Sequence, residues 1–225
     1  MRVKAMTYFG LIFIGFIIYQ SASAGRFKPC FLDQDTQNNR SEEIHQIYLA
    51  DQKDRENFDD MNNEERQAMS DRDTKRRMRI GEIFAEGCVQ RGSDYYDAAM
   101  IFQHGDVPDH YFQAFYFANK AEDLGYSSAK WLKAAAIDRY LVSIDHKQLF
   151  ATQFFSSEKT NGCFCLQPVE NSFPENLRLE ATGISMIEVF DRLDELNKGN
   201  KNNCPKDYCL IDLKPSPKGT VIGFW

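Results

Sequence analysis

Residues 93–143 read SDYYDAAMIFQHGDVPDHYFQAFYFANKAEDLGYSSAKWLKAAAIDRYLVS and carry the clearest helix signals of the chain. Apolar and alanine positions recur every three or four residues, which is typical of helices with buried faces. Gly105, Pro108 and Gly125 interrupt this pattern. The stretch therefore predicts three consecutive helices. They are expected over 93–103, over 109–123, and from Ser127 or Ser128 to Ser143.

Polar residues that favour helix ends mark these boundaries. Ser93 or Asp94 is expected to cap the first helix, and Gly105 to follow it in the left-handed conformation that glycine adopts readily. The proline at 108 forces its predecessor out of the α region, so Asp109 is expected to cap the second helix.

Small residues indicate how the second and third helices meet. Ala114, Ala118 and Ala121 recur at helical intervals, and Ala129 follows the glycine turn, which favours a closely packed antiparallel hairpin. The string GDVPDHYFQAFYFANKAEDLGYSSAKWL resembles one unit of the Sel1-like and tetratricopeptide class. Because a solenoid needs several stacked units and only one copy is visible, the sequence favours a compact helical domain.

Two charged residues lie on apolar stripes of the third helix. Asp138 shares its face with alanines and with Leu141 and Val142, and Arg139 lies on a similar stripe. Unpaired burial of either charge would cost several kcal/mol, so each needs a partner from elsewhere. The candidate partners are Gln103, His104, Gln148, Thr152 and Gln153. Either a structural polar network or a ligand-binding or catalytic pocket would explain such convergence.

The flanking sequence divides the chain into four parts. Residues 1–24 are predicted to be a signal peptide, 25–40 a polar arm, 41–198 a helical domain and 199–225 a cysteine-containing tail. The fold class is mainly α, a compact helical bundle with a Sel1- or tetratricopeptide-like hairpin and a short disulfide-tied tail. Cys163 to Gln167 is expected to form a short strand, and the tail a small β-hairpin.

Three helices are expected outside the central stretch. One begins at Ser41 and contains Ile44, Ile47, Tyr48 and Asp51, and one runs from Glu64 to Glu86. The last runs from Met186 to Leu196. Its inward face is expected to consist of Ile187, Phe190, Leu193 and Leu196.

The N-terminus has the pattern of a cleavable secretory signal. Arg2 and Lys4 precede an apolar run from Met6 to Tyr19, and Ala22-Ser-Ala24 is a small-x-small cleavage site. The alternative is a retained anchor, but the run is short for a membrane span. Cleavage after Ala24 predicts a periplasmic or secreted protein.

Six cysteines fall after this segment, which fits an oxidising compartment. They are Cys30, Cys88, Cys163, Cys165, Cys204 and Cys209. Cys30 is expected to pair with Cys88, and the 163/165 pair with the 204/209 pair. A zinc site formed by the last four is an alternative, although its spacings are unlike those of zinc knuckles.

Several segments together resemble a bacterial family classed as a domain of unknown function and numbered 6624. They are IYLADQKDRENF, DYYDAAMIFQHGD, AKWLKAAAIDRYL, FATQF and LQPVE…MIEVFDRLDELN, within about Ile44 to Asn197. The resemblance implies that Gln103, His104, Asp138, Arg139, Gln148, Thr152 and Gln153 belong to shared motifs. Family members commonly have Gly-Thr-Gln where this chain has Ala151-Thr-Gln153, a departure expected to loosen the turn requirement. The resemblance implies no established activity.

Composition and motifs leave two classes of function open. The net charge of −6 argues against nucleic acid and anionic membranes as partners. No complete catalytic, phosphate-binding or metal-binding motif is present, so no cofactor or metal is expected and a module that binds a protein or small molecule is favoured. The alternative is an envelope or secreted hydrolase or transferase. In it His104 would be the acid or base, Asp138 would orient His104, and Arg139 would hold an anion. His104 could instead be a helix cap or, less simply, a metal ligand.

Overall fold

The computed structural model describes residues 30, 33–199, 204, 209, 211–216, 218 and 219. Within them the protein is mainly helical, as predicted, with seven α-helices and one two-stranded antiparallel sheet. The helices are α1 (Gln34–Lys53), α2 (Asn63–Ala85), α3 (Gly92–Gln103), α4 (Pro108–Asp123), α5 (Ala129–Ser143), α6 (Glu175–Thr182) and α7 (Met186–Leu196). The strands are β1 (Phe154–Phe155) and β2 (Cys165–Leu166). The predicted signal peptide lies outside the described residues.

Helices α3, α4 and α5 form the centre of the fold. The four alanines of the predicted hairpin are all 0% exposed, and they allow α4 to pack closely against α5. Gly125 has the left-handed conformation (φ +85°) that the turn between these helices requires. Phe112 of α4 and Leu124 at its C-cap are exposed, so part of the apolar surface of this helix is not covered.

The link between α3 and α4 differs from the prediction in its geometry. Gly105 does not have a positive φ. It is needed instead for space, since a Cβ atom placed there would lie 2.2 Å from Cβ of His110. Helix α4 begins at Pro108 itself, which occupies the first helical turn where its missing N–H costs nothing. No side chain caps α3, whose N-cap position is Arg91.

The first helix begins seven residues before the predicted Ser41. Asp33 is its N-cap, and the Asp33 carboxylate accepts hydrogen bonds from the N–H groups of Asp35 and Thr36. The sequence did not indicate helix over 34–40 because these residues are polar and largely exposed, so they show no apolar periodicity. The predicted polar arm is therefore helical over part of its length.

Helix α7 has the predicted bounds but buries a different face. Its start is fixed by a capping box between Ser185 and Glu188. Ile187 is 75% exposed and Phe190 53% exposed, and Leu196 is exposed as well, so the predicted inward face was wrong. The buried side of the helix carries Val189.

The described sheet joins β1 to β2, with Phe154 opposite Leu166 and Phe155 opposite Cys165. The predicted strand over 163–167 is thus confirmed at its centre. In the tail, Lys214 forms an isolated bridge with His146. The second half of the predicted tail hairpin lies outside the described residues.

Three disulfides link Cys30 to Cys88, Cys163 to Cys204 and Cys165 to Cys209, which confirms the expected pairing. The zinc alternative is wrong, because all four of its thiols are used in disulfides. Three disulfides indicate a non-cytoplasmic protein. In the part of the chain that the structure describes, no helix is both long and apolar enough to cross a bilayer.

Two groups of buried residues form the core. The first contains residues of α1, α2, α3 and α4, among them Ile44, Ile80 and Ile101. The second lies between α4, α5, the loop at Leu149 and Phe150, and α6. Phe102 packs against both groups. The C-terminal end of α3 therefore lies where the two halves of the core meet.

Candidate functional site

Asp138 organises the loop that follows α5. Its carboxylate is 0% exposed and accepts hydrogen bonds from the N–H groups of Leu149 (2.7 Å), Phe150 (3.0 Å) and Thr152 (3.1 Å). The hydroxyl of Thr152 donates a further bond of 2.8 Å. Burial raises the pKa of Asp138 to about 6, against the opposite effect of these hydrogen bonds. The residue supports the fold and presents no free carboxylate.

The loop contains a residue in a strained conformation. Ala151 has φ +60°, a left-handed conformation that a residue with a Cβ atom adopts at a cost. The expectation of a looser turn at Ala151 is therefore wrong, because the turn here requires a left-handed residue. The hydrogen bonds to Asp138 on either side of Ala151 hold the conformation in place.

Gln148 and Gln153 complete this network. The amide of Gln148 donates to the carbonyl oxygens of Gln153 and Gln167 and accepts the N–H of Gln153 at 2.8 Å. The amide of Gln153 donates to the carbonyl of Ala135, and its oxygen accepts from Arg139. The predicted binding residues Gln148, Thr152 and Gln153 thus bind other parts of the chain.

Arg139 lies between this loop and the end of α3. Its Nε donates to Oε1 of Gln153 at 3.0 Å, and its Nη1 donates to the carbonyl oxygen of Gln103 at 2.5 Å. Burial lowers the pKa of Arg139; the Tyr111 phenol opposes this effect and the charge of Arg55 adds to it. Among the described residues Arg139 has no carboxylate partner and its Nη2 has no hydrogen-bond partner.

His104 pairs with Asp51 and not with Asp138, so the predicted orienting residue was wrong. Its Nδ1 lies 2.8 Å from Oδ2 of Asp51, whose side chain is completely buried. His104 occupies the C-cap position of α3, but its ring does not bind the last carbonyls of that helix. The imidazole is 19% exposed, and its Nε2 has no partner among the described residues.

A network of arginines and aspartates holds Asp51 in place. Arg55 donates to Asp51 at 2.9 Å and to Asp73 at 2.6 Å. Arg76 also binds Asp73, and Arg77 donates to the carbonyl oxygen of His104 at 3.1 Å. Buried carboxylates need such partners, so α1 and α2 together fix the position of the His104 ring.

Sequence reasoning missed the role of Asp51, although a signal for it was present. Asp51 follows Ile44, Ile47 and Tyr48 at helical intervals, which places an acidic residue on the buried face of α1. A buried carboxylate needs a partner, and His104 was a candidate. The pairing itself depends on how α1 packs against α3, which a single sequence does not specify.

Gln103 is the unusual residue of this region. It is 5% exposed, and its Oε1 is the one buried side-chain nitrogen or oxygen without a hydrogen-bond partner in the described part of the chain. A buried amide without partners costs about 1–3 kcal/mol, so native proteins rarely retain one without a reason. We call Gln103, His104 and Arg139 together the Gln103 site.

Other features of the surface are less specific. An open depression of about 360 Å³ lies between Asn57, Asp60, Met61, Glu65, Ala68 and Arg72. Its lining contains none of the predicted site residues. Among the described residues, no group of three histidine, cysteine or acidic side chains could hold a metal ion.

His45, His110 and His146 do not belong to the Gln103 site. Each has a partner of its own: Asp97 for His45, Asp106 for His110 and the carbonyl oxygen of Pro215 for His146.

Compared with models of protein families, with curated protein sequences and with solved structures, the chain matches none. Membership of the family numbered 6624 therefore stays a prediction from the quoted motifs.

Proposed function

We propose that this protein is an exported binding module that holds a small ligand at the Gln103 site. The observation that carries the proposal is the buried amide oxygen of Gln103, which has no hydrogen-bond partner within the described chain. The guanidinium of Arg139 and the imidazole of His104 each present a further polar group without a partner in the same described residues. Buried polar groups without a partner in the protein are a feature of ligand sites.

Two further observations support a binding role. Asp138, Gln148, Thr152 and Gln153 are fully engaged in fixing the loop that supports Arg139. A site whose supporting residues are locked by hydrogen bonds is preorganised for binding.

Export is part of the same proposal. The signal-like pattern of residues 1–24 and the three disulfides support a periplasmic or secreted location. Mass spectrometry of the protein from the producing cells tests this, and an N-terminus at Gly25 is expected. A recovered protein that retains Met1 in the cytoplasm would contradict it.

The binding role is tested by a ligand screen of the oxidised protein followed by ¹⁵N NMR. Bound ligands are expected to shift the side-chain amide signals of Gln103. The same ligands should fail to bind the Gln103→Met variant, which keeps the volume and removes the amide. Arg72→Gln, in the open depression, is the matched control and should bind normally. Ligands that bind Gln103→Met as tightly as the wild type would refute the proposal.

A second candidate function is acid–base catalysis at the same place, and the His104–Asp51 pair favours it. A buried carboxylate bound to Nδ1 fixes the tautomer and leaves Nε2 free to exchange a proton with a substrate. The protein would then be a hydrolase or transferase, with Arg139 stabilising developing negative charge.

This candidate predicts hydrolysis of chromogenic esters or phosphate monoesters that is lost in His104→Ala. Asp51→Asn is expected to lower the rate by a factor of about 10²–10⁴ because it favours the wrong tautomer. Equal rates in wild type and His104→Ala would eliminate the candidate and leave the binding module.

A further inference from the structure

The charge of Arg139 is not balanced by the protein around it. A mostly covered guanidinium normally binds a carboxylate, because an unpaired charge is costly when water is excluded. Within the described residues Arg139 donates hydrogen bonds to an amide oxygen and a backbone carbonyl oxygen, and its guanidinium lies 5.9 Å from the centre of the Tyr111 ring. Both acceptors are neutral, so the positive charge remains available to an anion.

The neighbouring arginines do not share this property. Arg55 is bound by the carboxylates of Asp51 and Asp73. Arg77 lies 3.5 Å from a carboxylate oxygen of Asp106. Burial is the main cause of the lowered pKa of Arg139, and the charge of Arg55 adds to it.

The second unpaired group requires a donor. Oε1 of Gln103 is a buried acceptor without a partner in the described chain. Gln103 and Arg139 are in direct contact, since Nη1 of Arg139 donates to the backbone carbonyl of Gln103. A ligand that binds both side chains needs an anionic group for Arg139 and a hydrogen-bond donor for Oε1 of Gln103.

We propose that the Gln103 site binds a small oxyanion that also carries a hydrogen-bond donor, such as hydrogen phosphate or a 2-hydroxy carboxylate. The anionic oxygens bind Arg139, and the hydroxyl donates to the amide oxygen of Gln103. Charge-assisted bonds from a guanidinium suit phosphate and carboxylate alike. This inference rests on the proposed binding function and specifies the chemistry of its ligand.

The test is a titration of the oxidised protein with four probes, followed by the NMR signals of the Arg139 Nε–H and the Gln103 amide. The probes are inorganic phosphate, malate, succinate and succinamide. Phosphate or malate is expected to shift both signals, and the stronger of the two identifies the oxyanion class. Succinate lacks the hydroxyl and should bind about tenfold more weakly than malate. Succinamide lacks the charge and should not bind.

Variants of Arg139 distinguish a loss of binding caused by the missing charge from one caused by unfolding. Arg139→Gln is expected to weaken phosphate and malate binding at least tenfold, whereas Arg72→Gln should leave it unchanged. If Arg139→Gln does not fold, Arg139→Lys is used instead. Lysine keeps the positive charge but replaces the planar guanidinium with a single ammonium nitrogen, so weaker binding is again expected. Gln103→Met should remove the preference for malate over succinate.

Two results would overturn the inference. The first is succinamide binding as tightly as malate with the same signals shifted, which would leave the binding function intact and reject the oxyanion. The second is phosphate and malate binding that neither Arg139 variant weakens. A complete absence of ligands sensitive to Gln103→Met in the wider screen would reject the binding function itself.

Discussion

Asp138 shows how one buried charge can fix a loop. Three backbone N–H groups and one hydroxyl converge on its carboxylate, and all four come from residues 149–152. Removing such an acceptor leaves buried donors without partners, which costs about 1–3 kcal/mol for each one. The loop in turn positions Gln153 against Arg139. Asp138 therefore acts on the Gln103 site indirectly, by fixing the loop that positions Gln153 against Arg139.

Asp138→Asn is expected to destabilise the protein by about 3 kcal/mol or more, because the new NH₂ group faces N–H donors. Urea unfolding measures this loss. Asp145→Asn, on the turn just after α5, is the control and should change the free energy of unfolding little. Equal stability of wild type and Asp138→Asn would contradict the assigned hydrogen bonds.

The pH dependence of Asp138 has a definite sign. Burial raises the pKa of the folded carboxyl to about 6 from an ordinary value of 3.8, so the folded state binds the proton more tightly than the unfolded chain. The contribution of Asp138 to the free energy of unfolding therefore falls as pH rises from about 4 to about 6. A ¹³C NMR titration of the carboxyl should give a midpoint near 6. A midpoint below 4 would show that the hydrogen bonds outweigh burial.

At some glycines of this fold the neighbouring atoms lie too close for a larger side chain, and at others they do not. Between α3 and α4, Gly105 leaves room for His110, while Gly81 inside α2 has no atom within 4 Å of where a Cβ would lie. The two glycines look alike in the sequence. They have opposite consequences in the structure, since only one of them is required by its surroundings.

Gly105→Ala is expected to lower the free energy of unfolding by about 1–3 kcal/mol because the new methyl group overlaps the His110 side chain. Gly81→Ala is expected to raise it by about 0.5–1 kcal/mol because alanine is favoured inside a helix. Thermal or urea unfolding of the two variants gives the comparison. The same direction of change in both would show that packing at the link is unimportant.

Ala151→Gly is expected to stabilise the protein by about 1 kcal/mol, because glycine adopts a positive φ without strain. Ala134→Gly, inside α5, is the matched control and should destabilise the protein. The melting temperatures of both variants test this. A lower melting temperature for Ala151→Gly would mean that contacts of the Ala151 methyl group outweigh the strain.

Particular helices show what the sequence can and cannot predict. The bounds of α7 were predictable because Ser185 and Glu188 form a capping box, a local signal. Its buried face was not, because the docking of the helix depends on distant contacts, such as the two hydrogen bonds that the Asn197 side chain makes with the backbone of Phe164. The short α6 was missed because eight residues carry little periodicity.

The same distinction applies to the candidate site. Asp138 and Arg139 were recognisable because a charge on an alanine-rich stripe is exceptional in any helix. The sequence also indicated which polar residues could bind them. Thr152 binds Asp138, and Gln103 and Gln153 bind Arg139. The assignment of His104 to Asp51 was not predictable, because both lie at the ends of different helices whose packing is decided by the whole core.

At the scale of the whole molecule, disulfides tie the ends of the described chain to the helical core. The bond from Cys30 to Cys88 holds the start of α1 against the end of α2, and both cysteines are 2% exposed. The other two bonds attach residues 204 and 209 to the segment around β2. Of the three bonds, the one from Cys30 to Cys88 lies beside α1 and α2, the helices that position the His104 ring.

Replacing both Cys30 and Cys88 by serine is expected to lower the free energy of unfolding by about 2–4 kcal/mol, since the bond closes a long loop. Urea unfolding under oxidising conditions measures the loss. Under reducing conditions the difference between variant and wild type should shrink. No difference under either condition would contradict a structural role for this bond.

The most direct test of the account is the stability of Gln103→Met beside Gln148→Met, without ligand. Because the buried amide oxygen of Gln103 has no partner within the described chain, replacing the residue should leave the melting temperature unchanged or raise it. Gln148 makes three hydrogen bonds, so its replacement should cost about 3 kcal/mol. A Gln103→Met variant destabilised as much as Gln148→Met would show that Gln103 serves the fold and that no ligand site need exist there.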